Sequence, residues 1–269
     1  MTNNSKVYLH VVDVSNIDSL NTFINQWIDS KRKLHCLINN AGVLLSERTV
    51  NHQNHEMGMA TALYQSYYLT GRLLPILYES STPNNPSRII HVSSGGGLTV
   101  KLDIDDLQSE KRTYNGTLQY AHAKRAQMEI NKVWAEKIET LIKTSSSSSS
   151  LSHSIITSSM HPGWASTEGV KTSIKDFYEK NKDTLRTPEE GADTIVWLAS
   201  SISARKIANG KFWFDRTESS TDFSFAGTTL SKQQREKLWN KVEDMTNWKW
   251  EGSNEQKQIE TFIKNNQSK

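Results

Sequence analysis

With 269 residues and a mass of 30.5 kDa, the chain is long enough for one large domain or two small ones. Its 32 Lys+Arg against 29 Asp+Glu give a net charge of +3 with no basic block, which argues against nucleic acid or an anionic membrane as main partner. A single cysteine, Cys36, excludes an internal disulfide framework and a multi-cysteine zinc site.

Mean hydropathy is −0.62, yet 8 Trp, 8 Tyr and 7 Phe are enough to build a core. No apolar run approaches the ~20 residues of a membrane span, and residues 1–30 contain no basic-then-apolar leader. The expectation is a soluble, cytoplasmic protein.

A Val-rich strand is predicted over 7–14, ending beside Asp13, followed by a helix from Ser15, where Ser15 and Asp18 have the spacing of a capping box. Ile17, Leu20, Ile24 and Ile28 then recur at helical spacing. Residues 34–38 form a short strand that stops in the turn Asn39-Asn40-Ala41-Gly42. After a polar loop, 56–77 predicts a helix with Pro75 near its end. Residues 88–92 form a strand ending in Ser93-Ser94 and three glycines, and a long helix follows over about 118–142. A strand over 153–160 closes in His161-Pro162-Gly163. Thr187-Pro188-Glu189-Glu190 starts a helix with Thr as cap. A last strand is expected at 210–215 and a last helix at 231–245, with a polar, fraying tail over 251–269. Alternating strands and helices, with strands apolar almost throughout, predict an α/β fold: a doubly wound parallel sheet covered on both faces. Six consecutive serines, 145–150, mark 144–152 as a mobile loop at the amino edge of that sheet. Ligands in such folds bind beyond the carboxyl edge, so the serines are expected to be remote from any site.

Chemistry concentrates where the strands end. Asn39–Gly42, Ser93-Ser94 and His161–Gly163 should line up along one sheet edge, and Tyr120 and Lys124 share a face of the following helix through their four-residue spacing. A phenol is a poor acid–base group at neutral pH, and a cation within ~4–6 Å would draw its pKa down. Ser94 could then hydrogen-bond a substrate oxygen while Tyr120 gives or takes its proton. Taken singly, each feature has a plain structural explanation: a packed ring on a solvated helix face, an ordinary turn. His52, His55 and Glu56 read as a solvated loop rather than a metal site. Cys36 reads as a core residue, and Trp239, Trp248 and Trp250 as packing for a terminal helix.

Together, LINNAG (37–42), RIIHVSS (88–94), YAHAK (120–124) and HPGWAST (161–167) resemble the short-chain dehydrogenase/reductase family, over about 7–215. A narrower resemblance, to the dehydrogenase/reductase SDR family member 12 subgroup, is carried by DLQSEKRTYNGTLQYAHAKRAQ (106–127), SSMHPGWAST (158–167), GADTIVWLA (191–199) and GKFWFDR (210–216). The resemblance implies a Rossmann-like fold and NAD or NADP as cofactor. Ser94, Tyr120 and Lys124 would be catalytic, with Tyr120 and Lys124 also at the cofactor. Asp13 would lie at the adenine, and Asn40, Ala41 and Gly42 beside the adenosine ribose. Pro162, Gly163 and Thr167 would lie near the nicotinamide amide.

Two departures accompany it. The chain begins at what corresponds to the family's third strand, so a single, incomplete Rossmann-like domain over 1–269 is expected, without the first strand–glycine loop–helix–strand unit; strand 34–38 then becomes an exposed edge. Ala62 stands where the family places a relay asparagine. The expected function is NAD(P)-dependent interconversion of a small-molecule alcohol and carbonyl by hydride transfer. The alternative is a non-catalytic derivative acting as a binding module. A homo-oligomer is left open.

Overall fold

In a computed structural model, residues 4–145 and 155–267 are described. Five strands form one sheet in the order β1 (Cys36–Asn39), β2 (Ser87–Val92), β3 (Ile155–His161), β4 (Lys211–Phe214), β5 (Thr217–Ser219). The first four are parallel, and β5 pairs antiparallel to β4 through a tight turn at Asp215 and Arg216. The sequence reading missed β5 because its three residues (Thr-Glu-Ser) lack any apolar signature.

Helices cover both faces. One face carries α1 (Ile17–Asp29), α2 (Met57–Leu63), α3 (Thr70–Ser80), α4 (Gly116–Ser145), α8 (Lys232–Thr246) and α9 (Asn254–Gln267), around a core that includes Leu20, Leu63, Leu73, Ile89, Ile130 and Trp134. On the other, α7 (Pro188–Ser200) packs Leu198 against Ile90, Val92, Met160 and Trp213, with half-buried Cys36 alongside. Burial pushes the Cys36 thiol up to about 11. Two short helices, α5 (Glu168–Ser173) and α6 (Lys175–Asn181), follow β3. The expected cap and proline of α7 are in place: Thr187 and Glu190 form a full capping box, with Pro188 at the first position.

Several expectations are corrected. Residues 7–14 form no strand. Strand β1 is the outermost of the sheet, yet 7–14 make no ladder with its open edge and lie against α1 instead. His10 packs edge-on against Phe23 at 5.5 Å, while Leu9 and Val11 are 89% and 94% exposed. The cap of α1 is Asn16, not Ser15: its side chain accepts from the Asp18 and Ser19 amides, and Ser15 is engaged by Asp13. Glu56 is fully buried rather than part of a solvated loop. The predicted 56–77 helix is interrupted by a π-helical turn over Tyr64–Leu69 and continues as α3 through Pro75. The tail does not fray over its length. It forms α9, which buries Ile259 and Ile263, sets Phe262 edge-on to Tyr78 and pairs Glu255 with Arg72 at 2.7 Å. Of the serine-rich loop 144–152, Thr144 and Ser145 belong to the last turn of α4 and 146–152 lie outside the described residues. The tryptophans pack as expected, with Trp239 and Trp250 4.9 and 5.2 Å from Trp134.

Candidate active site

The carboxyl edge of the parallel strands gathers the expected residues. Asn39 pairs in register with His91, Val92 with Met160, and His161 with Phe214, so the turns after β1, β2 and β3 stand side by side. Ser93 extends the β2–β3 ladder by donating to the Met160 carbonyl at 2.8 Å, which sets Ser94 at the mouth of the edge. Ser94 is half-buried and caps the short helical turn Gly95–Leu98.

From α4, Tyr120 comes up to Ser94, whose hydroxyl is near enough to favour the phenolate. One turn on, Lys124 is buried with its ammonium donating to the Val92 carbonyl at 2.8 Å, 5.6 Å from the Tyr120 ring centroid. The Ser93 hydroxyl donates to the Lys124 carbonyl at 2.9 Å, fixing α4 to β2 at this level. The turn after β1 closes the group: a Cβ on Gly42 would lie 3.1 Å from Lys124 Nζ and 3.9 Å from the Tyr120 ring. A side chain there would press on the Lys124 ammonium, which would have to give by a few tenths of an ångström.

The electrostatics differ in one respect from the sequence reading. Burial pushes the Tyr120 phenol up, opposed by Ser94, and Lys124, itself lowered by burial to about 8, has lost its charge before a phenol above its ordinary range ionises. Tyr120 is therefore protonated at neutral pH, the state that can give a proton to an oxygen.

The remaining expected residues fall in different places. Asn40 is exposed, and the Ala41 carbonyl accepts from Gln65. Gly163 adopts φ +77, and a Cβ there would meet the Arg186 guanidinium at 2.7 to 2.8 Å; Arg186 also donates to the Pro162 carbonyl at 3.4 Å and grips Asp215 through both its carboxylate oxygens. Thr167 caps α5 through the Val170 amide. The Asp13 carboxylate is engaged by Ser15 in its own turn, and among the described residues no hydrogen bond or ion pair joins it to Tyr120 or Lys124.

Two residues have roles that the sequence reading did not give them. Gln65, buried in the π-helical turn, donates from Nε2 to the Ala41 carbonyl at 2.6 Å and to the Thr61 carbonyl at 2.7 Å, clamping the turn that carries Gly42. Glu56 caps α2 and accepts from Gln119 Nε2 at 2.9 Å and from the Tyr114 hydroxyl at 3.2 Å, tying the start of α4 beside Tyr120. An E two residues before a buried G-M step was a readable cap signal for Glu56; nothing local marked Gln65. His55 binds the Tyr64 hydroxyl at 2.6 Å, and among the described residues no three His, Cys, Asp or Glu side chains converge as metal ligands.

Comparison with known proteins shows the family of the chain. Human dehydrogenase/reductase SDR family member 12 is 37% identical over 236 residues, 87% of this chain and 68% of that protein. This chain belongs to the short-chain dehydrogenase/reductase family. Mouse retinol dehydrogenase 11 is 28% identical over 79% of this chain and 62% of its own length. Among solved structures of this fold, a Brucella melitensis 3-ketoacyl-(acyl-carrier-protein) reductase complexed with NADH superposes with a TM-score of 0.53 at 17% identity, over 75% of this chain and 73% of that one. No protein-family model matches the chain. Among the described residues, no helix is long and apolar enough to cross a membrane.

Proposed function

We propose that the site is that of an NAD(P)-dependent oxidoreductase that interconverts an alcohol and a carbonyl, with Ser94, Tyr120 and Lys124 as its catalytic residues. The gathering of Ser94 beside Tyr120, with the Lys124 ammonium 5.6 Å from the Tyr120 ring, is the observation that carries this reading.

In the reducing direction Ser94 orients the carbonyl oxygen of a small-molecule substrate by hydrogen bonding. Tyr120, held protonated, gives that oxygen its proton as it becomes a hydroxyl; in the oxidising direction Tyr120 takes the proton back. The residues present fit the nicotinamide end of the cofactor. The Lys124 ammonium and the Tyr120 phenol are donors matched to ribose hydroxyls, and the open approach at Gly42 admits them. When bound, the nicotinamide supplies or accepts the hydride. Asn40 and Ala41 beside Gly42, Pro162, Gly163 and Thr167 after β3, and Asp13 before α1 are assigned to its binding by their match to the family's motifs. These 269 residues hold no T-G-x-x-x-G-x-G loop for the pyrophosphate.

The second reading, a non-catalytic binding module, is favoured by Ala62, whose buried methyl has no polar atom where the family's relay asparagine would stand. The two separate on one measurement. With millimolar NADH or NADPH and a panel of aldehydes and ketones, cofactor oxidation at 340 nm should be detectable in the wild type and fall at least a hundredfold in Tyr120→Phe. Equal rates in wild type and variant would refute the catalytic assignment.

A further inference from the structure

Behind Lys124, between α4 and the sheet, runs a seam of buried polar side chains that the site does not use. Lys124, Gln127 and Asn131 follow one another along one face of α4, at spacings of three and four residues. The sheet anchors both ends of this row. Lys124 donates to Val92 at the carboxyl end of β2, and Asn131 accepts from the Thr157 hydroxyl further down β3. Between those two levels, on the same face of the sheet, lie Ser159 of β3 and its register partner His91 of β2, with Asn39 of β1 next across. Gln127, one turn from each anchor, is set against this level.

Gln127, Asn131 and His91 are 0% exposed and Asn39 2%. Five of their polar atoms have no partner among the described residues: both Nε2 and Oε1 of Gln127, Nδ2 of Asn131, Nε2 of His91 and Oδ1 of Asn39. Buried polar atoms are normally bonded, and five along one seam call for a common occupant. Their chemistry selects it. Asn39 donates from Nδ2 to His91 Nδ1 at 3.1 Å, an assignment that follows from the amide's orientation and leaves the His91 proton on Nε2. The orphans are therefore donors on Gln127, Asn131 and His91, and acceptors on Gln127 and Asn39. A cation would need acceptors alone and an anion donors alone, whereas water satisfies both.

We propose that the seam between α4 and the sheet is a built site for ordered water, that this water solvates the buried side of the Lys124 ammonium, and that Gln127 is the residue that positions it. Lys124 then keeps its charge in an otherwise dry setting without a carboxylate partner. The titratable groups that face it are Tyr120, one turn back on its own helix, and His91 on β2; Gln65 and the turn at Gly42 bring none. His91 stays neutral in this arrangement, since burial and the neighbouring lysine lower it to about 3. Gln127 is a positioning residue that acts through Lys124. The proposal builds on Lys124 belonging to the site, but its tests need neither substrate nor turnover, so failure of the oxidoreductase reading would leave them intact.

Two measurements decide it. A crystal structure of the wild-type chain, at a resolution that places ordered water, should show water within hydrogen-bond reach of the Gln127 amide and of His91 Nε2 or Asn39 Oδ1. A dry seam, or a Gln127 amide fully bonded to protein groups, overturns the proposal. Independently, the Lys124 titration can be followed by NMR of side-chain-labelled lysine. Gln127→Met, close in volume but without an amide, should lower the Lys124 midpoint by about one pH unit, whereas Gln127→Asn, which keeps a water-binding amide, should restore it. A packing role alone would leave the titration where it is in all three proteins. Identical midpoints in wild type and Gln127→Met refute the assignment.

Discussion

Replacing Glu56 tests whether the site is held from the side of α4. Its carboxylate, fully buried, accepts four hydrogen bonds: from the Gly58 and Met59 amides at the start of α2, at 3.1 and 2.8 Å, and from Tyr114 and Gln119 ahead of Tyr120. Glu56→Ala strips two buried helix-end amides of their acceptor, and a helix cap alone is worth about 0.5–2 kcal/mol. Hydrogen bonds to a charged group add about 1.5–3 kcal/mol each, but Gln119 keeps its second partner, the Leu107 carbonyl, and Tyr114 is partly exposed. The expected loss is about 3–5 kcal/mol, read in urea unfolding as a lower midpoint at unchanged slope, or as a fall in Tm of roughly 6–15 °C. Glu56→Gln keeps the shape and one acceptor oxygen but sets an amide donor against other donors, so it should lose about half as much. A cost below about 1 kcal/mol for the alanine, or equal costs for both variants, would refute this account.

Two further outcomes are expected. Burial lowers His91 to about 3, and His122 and His161 to about 4, while the unfolded chain binds these protons near 6.5; unfolding at pH 5 should therefore take up roughly three protons, and stability should fall as pH drops from 6.5 towards 4. A pH-independent unfolding free energy across that window would contradict the neutral burial of these rings. Calorimetric titration of the 269-residue chain with NADH or NADPH should show binding weakened by two or three orders of magnitude relative to a site with a glycine loop, because several charge-assisted hydrogen bonds of about 1.5–3 kcal/mol each are missing. Micromolar binding would show that this loop is dispensable here.

Most of the candidate site was legible in the sequence because it is made of strand ends. Periodicity located β1, β2 and β3 within a residue or two, and their polar terminations then had to converge, as Ser94 and Gly42 do with Tyr120 and Lys124 on α4. What escaped was set by contacts distant in the chain. Residues 7–14 have a good strand pattern, but a strand also needs a neighbour, which composition cannot supply. The α9 segment was dismissed for its polarity, although Ile259, Phe262 and Ile263 at spacings of three and one are a readable apolar stripe. Gln65 reaches Ala41 from within a π-helical turn, and no local pattern announces such a turn. The phenol was expected to be drawn down by Lys124, but that argument used spacing along the helix and could not know how deeply both groups are buried, which raises the phenol and lowers the lysine to about 8.

The π-helical turn also works as a phase shifter. A regular helix advances about 100° per residue, so each widened turn delays everything beyond it by part of a step. Downstream, α3 presents Arg72, Ile76 and Glu79 as its least buried stripe and turns Thr70 inward to accept from Asn39. Removing one residue between 64 and 69 would let the segment relax to an ordinary helix and rotate α3 by about that angle. Arg72 would swing off Glu255, and Thr70 away from Asn39. This stretch is thus intolerant of length change even where it tolerates substitution: its residue count sets the rotational phase of α3, and with it the seating of the carboxyl-terminal helix.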